Sequence, residues 1–236
     1  MGKRIIQQAR GHGSSTYRVR RRAYSIKPAY PEHDGECEII KFITDSGHSA
    51  PMAMLRGKSS GTFFNIAVEG THQGQKIMIG NTAEIKPGNI IPLGDLPVGT
   101  NVCNIEKRPR DGGQIVRASG LTAVIVRKDE RNVFVLLPSK QEKSFDRGVR
   151  ATIGIIAGGG RTEKPFVKAG TKWHQMKARN KLYPRTSPVK MNVVDHPFGS
   201  GRGKNMGKSG IAPRWAPPGR KVGLLRPRSS GRGGKR

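Results

Sequence analysis

Residues 161–236 carry 20 Lys and Arg against two acids, Glu163 and Asp195. A stretch this one-sided repels itself. The 14 Gly and 8 Pro of residues 158–236 break regular elements, so too little apolar surface is available to offset the entropy lost on ordering. Alone, it is expected to be disordered. Helix-prone sequence is confined to KWHQMKARNKL (172–182). Residues 1–33 share this character, with 8 basic residues, 1 acid and the run RVRRR at 18–22. These are two long basic irregular extensions, one at each end.

The residues between them read differently. Residues 34–100 hold 5 basic and 7 acidic residues, and residues 101–160 hold 11 and 6. ECEIIKFITD, APMAML, TFFNIAV and QKIMIG are short, rich in β-branched or alternating apolar positions, and separated by Gly-containing breaks, which predicts strands. In AEIKPGNIIPLGDLPVGT (83–100), Pro and Gly recur too often for a helix or a central strand. A second set follows: TNVCNIEK, GQIVRASG, LTAVIVRK, NVFVLLP and VRATIGIIA. The polar DER between the third and fourth predicts a hairpin. Short strands with regular turn signals predict a mainly β chain of small antiparallel barrels, each set being the size of an OB-like or SH3-like barrel.

The net charge of +28 concerns partners rather than fold. A polyanion is its natural counterweight. Nucleic acid comes first and an anionic membrane second. The basic stretches lack amphipathic periodicity, which argues against a membrane surface. No apolar run approaches a membrane span, and no secretory h-region is present, so a cytoplasmic location is expected. Cys37 and Cys103 show no CxxC spacing and are expected to be reduced core thiols.

Glycine and arginine recur together in AGGGRTEKPFVKAG (157–170), HPFGSGRGKNMGKSG (196–210) and SSGRGGKR (229–236). Glycine lets the backbone approach a surface closely, so successive N–H groups can cradle phosphate oxygens. Arginine adds a planar fork for phosphate or guanine. Trp173, Tyr183, Phe198 and Trp215 lie among these segments and could stack on unpaired bases. GRGKNMGKS (201–209) imitates a P-loop, but Arg202 stands where its first Gly belongs, and no apolar strand precedes it.

Asp195 and His196 are adjacent in a stretch nearly free of other acids. As a catalytic pair they lack a nucleophile, and the six His show no metal-ligand spacing. The favoured reading is structural. Asn192, Asp195 and His196 fix a turn before Pro197, with Asp195 making an Asx-type bond and the imidazole donating to a phosphate or 2′-OH.

GGQIVRASG (112–120), VRATIGIIAGGG (149–160), KPFVKAG (164–170) and above all MNVVDHPFGSG (191–201) resemble the universal L-two protein family of the large ribosomal subunit. The AGGGRTEKPFVKAG and HPFG stretches are closest to archaeal and eukaryotic members. Phe198 stands where bacterial members have a second His, and Val193 replaces a Pro. The resemblance implies a basic arm (1–33), an OB-like barrel (34–100), an SH3-like barrel (101–160) and an rRNA-binding extension (161–236). It implies a structural protein, not an enzyme, that binds large-subunit rRNA near the peptidyl-transferase region. It further implies support of subunit assembly, subunit association and tRNA placement. The expected partners are rRNA and other ribosomal proteins, with small subunit and tRNA reached indirectly. No membrane and no second copy of the chain is expected. No cofactor is expected beyond Mg²⁺ brought by the rRNA.

Phosphate contacts are expected from Arg18, Arg20, Arg21 and Arg22 in the arm, and from Arg117 and Arg150 in the barrel motifs. In the extension they are expected from Arg161, Lys164, Lys168, Lys172, Arg179, Arg202, Lys204, Lys208, Arg220 and Lys221. Asn192, Asp195 and His196 complete the interface. The rivals are a sequence-independent DNA- or RNA-compacting protein and an RNA-processing enzyme using Asp195 and His196.

Overall fold

A computed structural model describes residues 2–19, 21–58, 60–201 and 205–227. Three expected contacts, Arg20, Arg202 and Lys204, lie outside the described residues, as does SSGRGGKR. The chain divides into two units, one of residues 20–179 and one built from both ends of the chain, residues 1–19 and 180–236.

The larger unit is mainly β. Its strands are β1 (Gly35–Ile43), β2 (Met52–Gly57), β3 (Gly61–Ile66), β4 (Lys76–Ile79), β5 (Ile90–Pro92), β6 (Asn101–Cys103), β7 (Ala123–Lys128), β8 (Asn132–Leu136), β9 (Glu142–Asp146) and β10 (Arg150–Ile153). They form one hydrogen-bonded ladder in the order β3-β2-β1-β4-β5-β10-β6-β7-β8-β9. Neighbours are antiparallel except β4 and β5, which meet in parallel at Ile79 and Ile90. β1 bulges between Ile39 and Lys41, and β7 between Ile125 and Arg127. The predicted hairpin joins β7 and β8, closed by the Asp129 N–H donating to the Asn132 carbonyl at 2.7 Å.

Four expectations need correction. AEIKPGNIIPLGDLPVGT does contain a central strand, the three-residue β5. Its Pro92 is tolerated because it is the strand's last residue, which spares the ladder bonds of Ile90 and Ile91. GQIVRASG is not a strand. Gly112 and Gly113 at φ 81° and 86°, and Val116 at 56°, turn the chain, leaving one isolated bridge between Ile105 and Ile115. The unforeseen β9, EKSFD, buries only Phe145 and runs along the ladder's edge. Helix α2 spans Ala169–Ala178 rather than 172–182. Asn180 at φ 51° takes the left-handed conformation that ends helices and stops it early.

β5 explains how two strand sets share one ladder. Ile90 packs with Tyr30, Cys37, Ile39, Leu55, Ile77 and Ile79. Ile91, one residue on, packs with Val102, Ile105, Ile125, Val133 and Val135. Strand alternation thus hands one side chain to each core, at roughly 1.5–3 kcal/mol per buried aliphatic. β10 lies between β5 and β6 and is buried at every position. Cys37 and Cys103 are buried free thiols. Burial raises the pKa of both, that of Cys103 to about 12.

Residues 21–33 are more than an exposed arm. Ala23 and Tyr30 are buried. The Tyr30 hydroxyl donates to the Asn104 carbonyl at 2.6 Å and lies 2.7 Å from the Thr152 hydroxyl.

The smaller unit shows more local order than expected. Helix α1 (Ile6–Gly11) forms where none was predicted, the Gln8 side chain accepting from the Ile5 N–H at 3.0 Å. The Lys3 N–H donates to the Val194 carbonyl at 2.8 Å, and Ile211 bridges Leu224. Phe198, His196 and Val222 are buried there. Among the described residues, no helix is long and apolar enough to cross a membrane.

Candidate nucleic-acid interface

The turn at 191–200 is built by its backbone. The Asn192 carbonyl accepts from the N–H groups of Asp195 (3.0 Å) and His196 (3.1 Å). The His196 carbonyl accepts from Gly199 at 2.8 Å, and Met191 accepts from Ser200 at 3.2 Å. A Cβ at Gly199 would collide with the Met191 carbonyl and the Asn192 backbone, so the turn closes only with glycine there.

The Asx-type bond expected of Asp195 does not form. Its carboxylate pairs instead with Lys3 Nζ at 3.7 Å, and the turn needs only the Asn192 main chain. The carboxylate does not hold the His196 imidazole either. His196 Nδ1 accepts from the Phe198 N–H at 3.1 Å. That places the ring proton on Nε2. Burial lowers the His196 pKa, so the ring is neutral at pH 7 and its one N–H donor is on Nε2. It packs on Phe198 with ring centroids 5.0 Å apart. Without a carboxylate partner or a nucleophile, the pair has no acid–base machinery.

The predicted cations divide by what they touch. Arg150 is the clearest correction: it is buried and spent on the protein itself. Its guanidinium donates to Glu106 Oε1 from Nε (3.2 Å) and Nη2 (2.9 Å), and to the Pro31 carbonyl at 2.8 Å. Glu106 is wholly buried and also accepts from the N–H groups of Arg110, Gly112 and Arg150. An unpaired carboxylate there would be costly, so Arg150 serves as its counterion. Arg117 is half-buried with Nη1 donating to Gly113 at 3.2 Å, and burial lowers its pKa.

Most of the remaining described cations face outward. Arg21, Arg22, Lys164, Lys168, Lys208 and Lys221 are exposed. So are Arg18 and Arg161, tethered to the Gly13 carbonyl (2.7 Å) and the Ser119 hydroxyl (3.0 Å). Lys172, Arg179 and Arg220 are half-buried. Of the aromatics, Phe198 is core and unavailable for stacking, whereas Trp173 is 40% and Trp215 85% exposed. Arg214 lies over the Trp215 ring at 5.2 Å and Lys177 over Trp173 at 5.9 Å.

Sequence reasoning passed over three features. Arg214 beside Trp215 was legible as a basic–aromatic pair. Lys3 and Arg185 line the same cleft as His196, which only folding reveals. The third is a second Asp–His pair, in the larger unit. Buried Asp45 holds His48 Nδ1 at 2.6 Å and accepts from the Tyr24 N–H at 3.1 Å. Burial opposes the Asp45 charge, but the His48 hydrogen bond and charge and the N–H groups of Tyr24 and Gly47 prevail and lower its pKa. The signal was the D-x-x-H spacing in TDSGHS. Among the described residues, no cluster of His, Cys, Asp and Glu could hold a metal ion.

Residues 86–216 match the family model described as Ribosomal Proteins L2, C-terminal domain. The chain is 47% identical to the large ribosomal subunit protein uL2 of Methanococcoides burtonii, over 98% of this chain and all of that protein. It is 44% identical to the uL2 proteins of Natronomonas pharaonis and Archaeoglobus fulgidus, covering 98% or more of each chain. The chain therefore belongs to the uL2 family of large-ribosomal-subunit proteins, in its archaeal form.

Proposed function

We propose that this chain, a structural constituent of the ribosome rather than an enzyme, binds large-subunit rRNA near the peptidyl-transferase region. There it supports subunit assembly, subunit association and tRNA placement. The observation that carries the reading is the fate of the charge. Glu106 is consumed inside the fold by Arg150, whereas Arg161, Lys164, Lys168, Lys208 and Lys221 face outward on a segment holding two acids. Such unpaired density is matched by phosphates, whose neutralisation releases counterions. The exposed Trp215 adds a platform for an unpaired base.

In this reading residues 34–100 are the OB-like barrel, 101–160 the SH3-like barrel, and 161–236 the extension that threads rRNA. The partners are rRNA and neighbouring ribosomal proteins, in the cytoplasm, with Mg²⁺ present only as an ion of the RNA. The test is the salt dependence of binding to large-subunit rRNA. Replacing Lys164, Lys168 and Lys208 with Gln should make the log–log slope shallower by roughly one per residue. An unchanged slope would refute phosphate contact by these residues.

A further inference from the structure

A cleft of about 700 Å³ lies within the smaller unit, between α1 and the chain from Leu182 to His196. It lies within the ~300–1,000 Å³ range of small-molecule sites. Its lining is graded. Lys3, Arg4 and Arg185 are exposed and supply positive charge at the rim. Ile6, Leu182, Pro188 and Met191 form an apolar wall that is partly exposed to half-buried. His196, 6% exposed, is the most buried lining residue. Its Nδ1 is committed to the Phe198 N–H. Its Nε2–H has no hydrogen-bond partner among the described residues.

We propose that this cleft takes a single unstacked nucleotide of large-subunit rRNA, its base against the apolar wall with an edge acceptor on His196 Nε2–H, its phosphates on Lys3, Arg4 and Arg185. The inference rests on the rRNA-binding reading and names one site within it. The gradient selects the occupant. A base has flat faces suited to apolar side chains and at least one acceptor on its edge, while its negative charge stays outside on the backbone. An acidic peptide would also meet the rim cations, but its backbone has no flat aromatic face to lay against the apolar wall. The sole acid lining the cleft, Asp195, is already paired with Lys3, so the rim is net positive.

The test uses the full chain assembled into large subunits in cells. A photoreactive benzophenone amino acid replaces Leu182 in the wall, with the same group at exposed Lys208 as reference. After irradiation, adducts are mapped by sequencing. The site predicts that Leu182 labels one unpaired rRNA nucleotide. It also predicts that Ile6→Trp, which fills the cleft from an already exposed position without removing charge, lowers that adduct at least about tenfold while the Lys208 adduct is unchanged. Adducts at Leu182 spread over paired nucleotides, or on protein, overturn the inference, as does indifference to Ile6→Trp. If Lys208 labels rRNA and Leu182 does not, the cleft inference alone fails. If neither labels rRNA, the RNA-binding reading fails and the cleft with it.

Discussion

Each unit contains an Asp–His pair, and they behave oppositely. Asp45 and His48, three residues apart, are joined at 2.6 Å, the carboxylate buried and the imidazole half-buried. Asp195 and His196, adjacent in sequence, share no hydrogen bond; one turns to Lys3 and the other to a main-chain N–H. Neighbouring residues in a turn project differently, so adjacency in sequence is poor evidence for a dyad. The contrast extends to charge generally. The larger unit closes Glu106 on Arg150 and Asp45 on His48. The smaller unit sets Lys3, Arg4, Arg185, Lys208 and Lys221 at its surface against one described acid, Asp195. The larger unit spends its buried charge on the fold and keeps Arg21, Arg22, Arg161, Lys164 and Lys168 outward, whereas the smaller unit, with one described acid, leaves nearly all of its charge for a partner.

The sharpest way to break this comparison is Glu106→Ala. It leaves Arg150 buried without a counterion and should cost about 3–5 kcal/mol of stability, read by urea denaturation of the full chain. A loss under ~1 kcal/mol would mean that Arg150 reaches water and is free for RNA after all. Next, Asp45→Asn weakens the bonds to His48 and the Tyr24 N–H, and should cost about 1–3 kcal/mol. Because the folded pKa of Asp45 is depressed, its contribution is complete above the unfolded carboxylate value near 3.9 and is lost as pH falls through the folded value. The variant's acid denaturation should accordingly be flatter in that window.

His196→Gln addresses the smaller unit. Burial depresses the His196 pKa, so the unfolded chain takes up the proton more readily. The stability tied to its neutral form is complete above about pH 6.5 and declines as pH falls through the folded value. Denaturation midpoints between pH 7 and 5 should therefore drop more steeply in the natural protein than in His196→Gln; equal slopes would mean that the ring is not held neutral by burial. The smallest effect on stability is expected from neutralising exposed extension cations, within about 0.5 kcal/mol each, even as the salt dependence of RNA binding changes.

Much of the fold was legible because strand alternation and Gly breaks act locally: eight of the ten strands and the DER hairpin follow from them. What escaped depended on distant context. β5 is a strand because β4 and β10 flank it, despite its Pro, and EKSFD becomes β9 because β8 offers an edge. At the candidate site, the extension's charge was evident from composition alone, and the Met191–Gly201 stretch was recognisable. Arg150 was misjudged because its partner, Glu106, lies 44 residues away. Phe198 was misjudged because nothing local says that it packs on His196 and Gly223. Pairing across the chain decides whether a given Arg or Phe faces inward or outward.

The most direct test of the central claim, that the outward charge is matched by rRNA, is crosslinking in cells followed by sequencing of the attached nucleic acid and mapping of the crosslinked peptides. The account predicts adducts confined to a few segments of large-subunit rRNA, concentrated on peptides from residues 161–227 and sparse on those containing Arg150. Adducts scattered over genomic DNA or unrelated RNAs would contradict it and leave charge alone as the basis of binding.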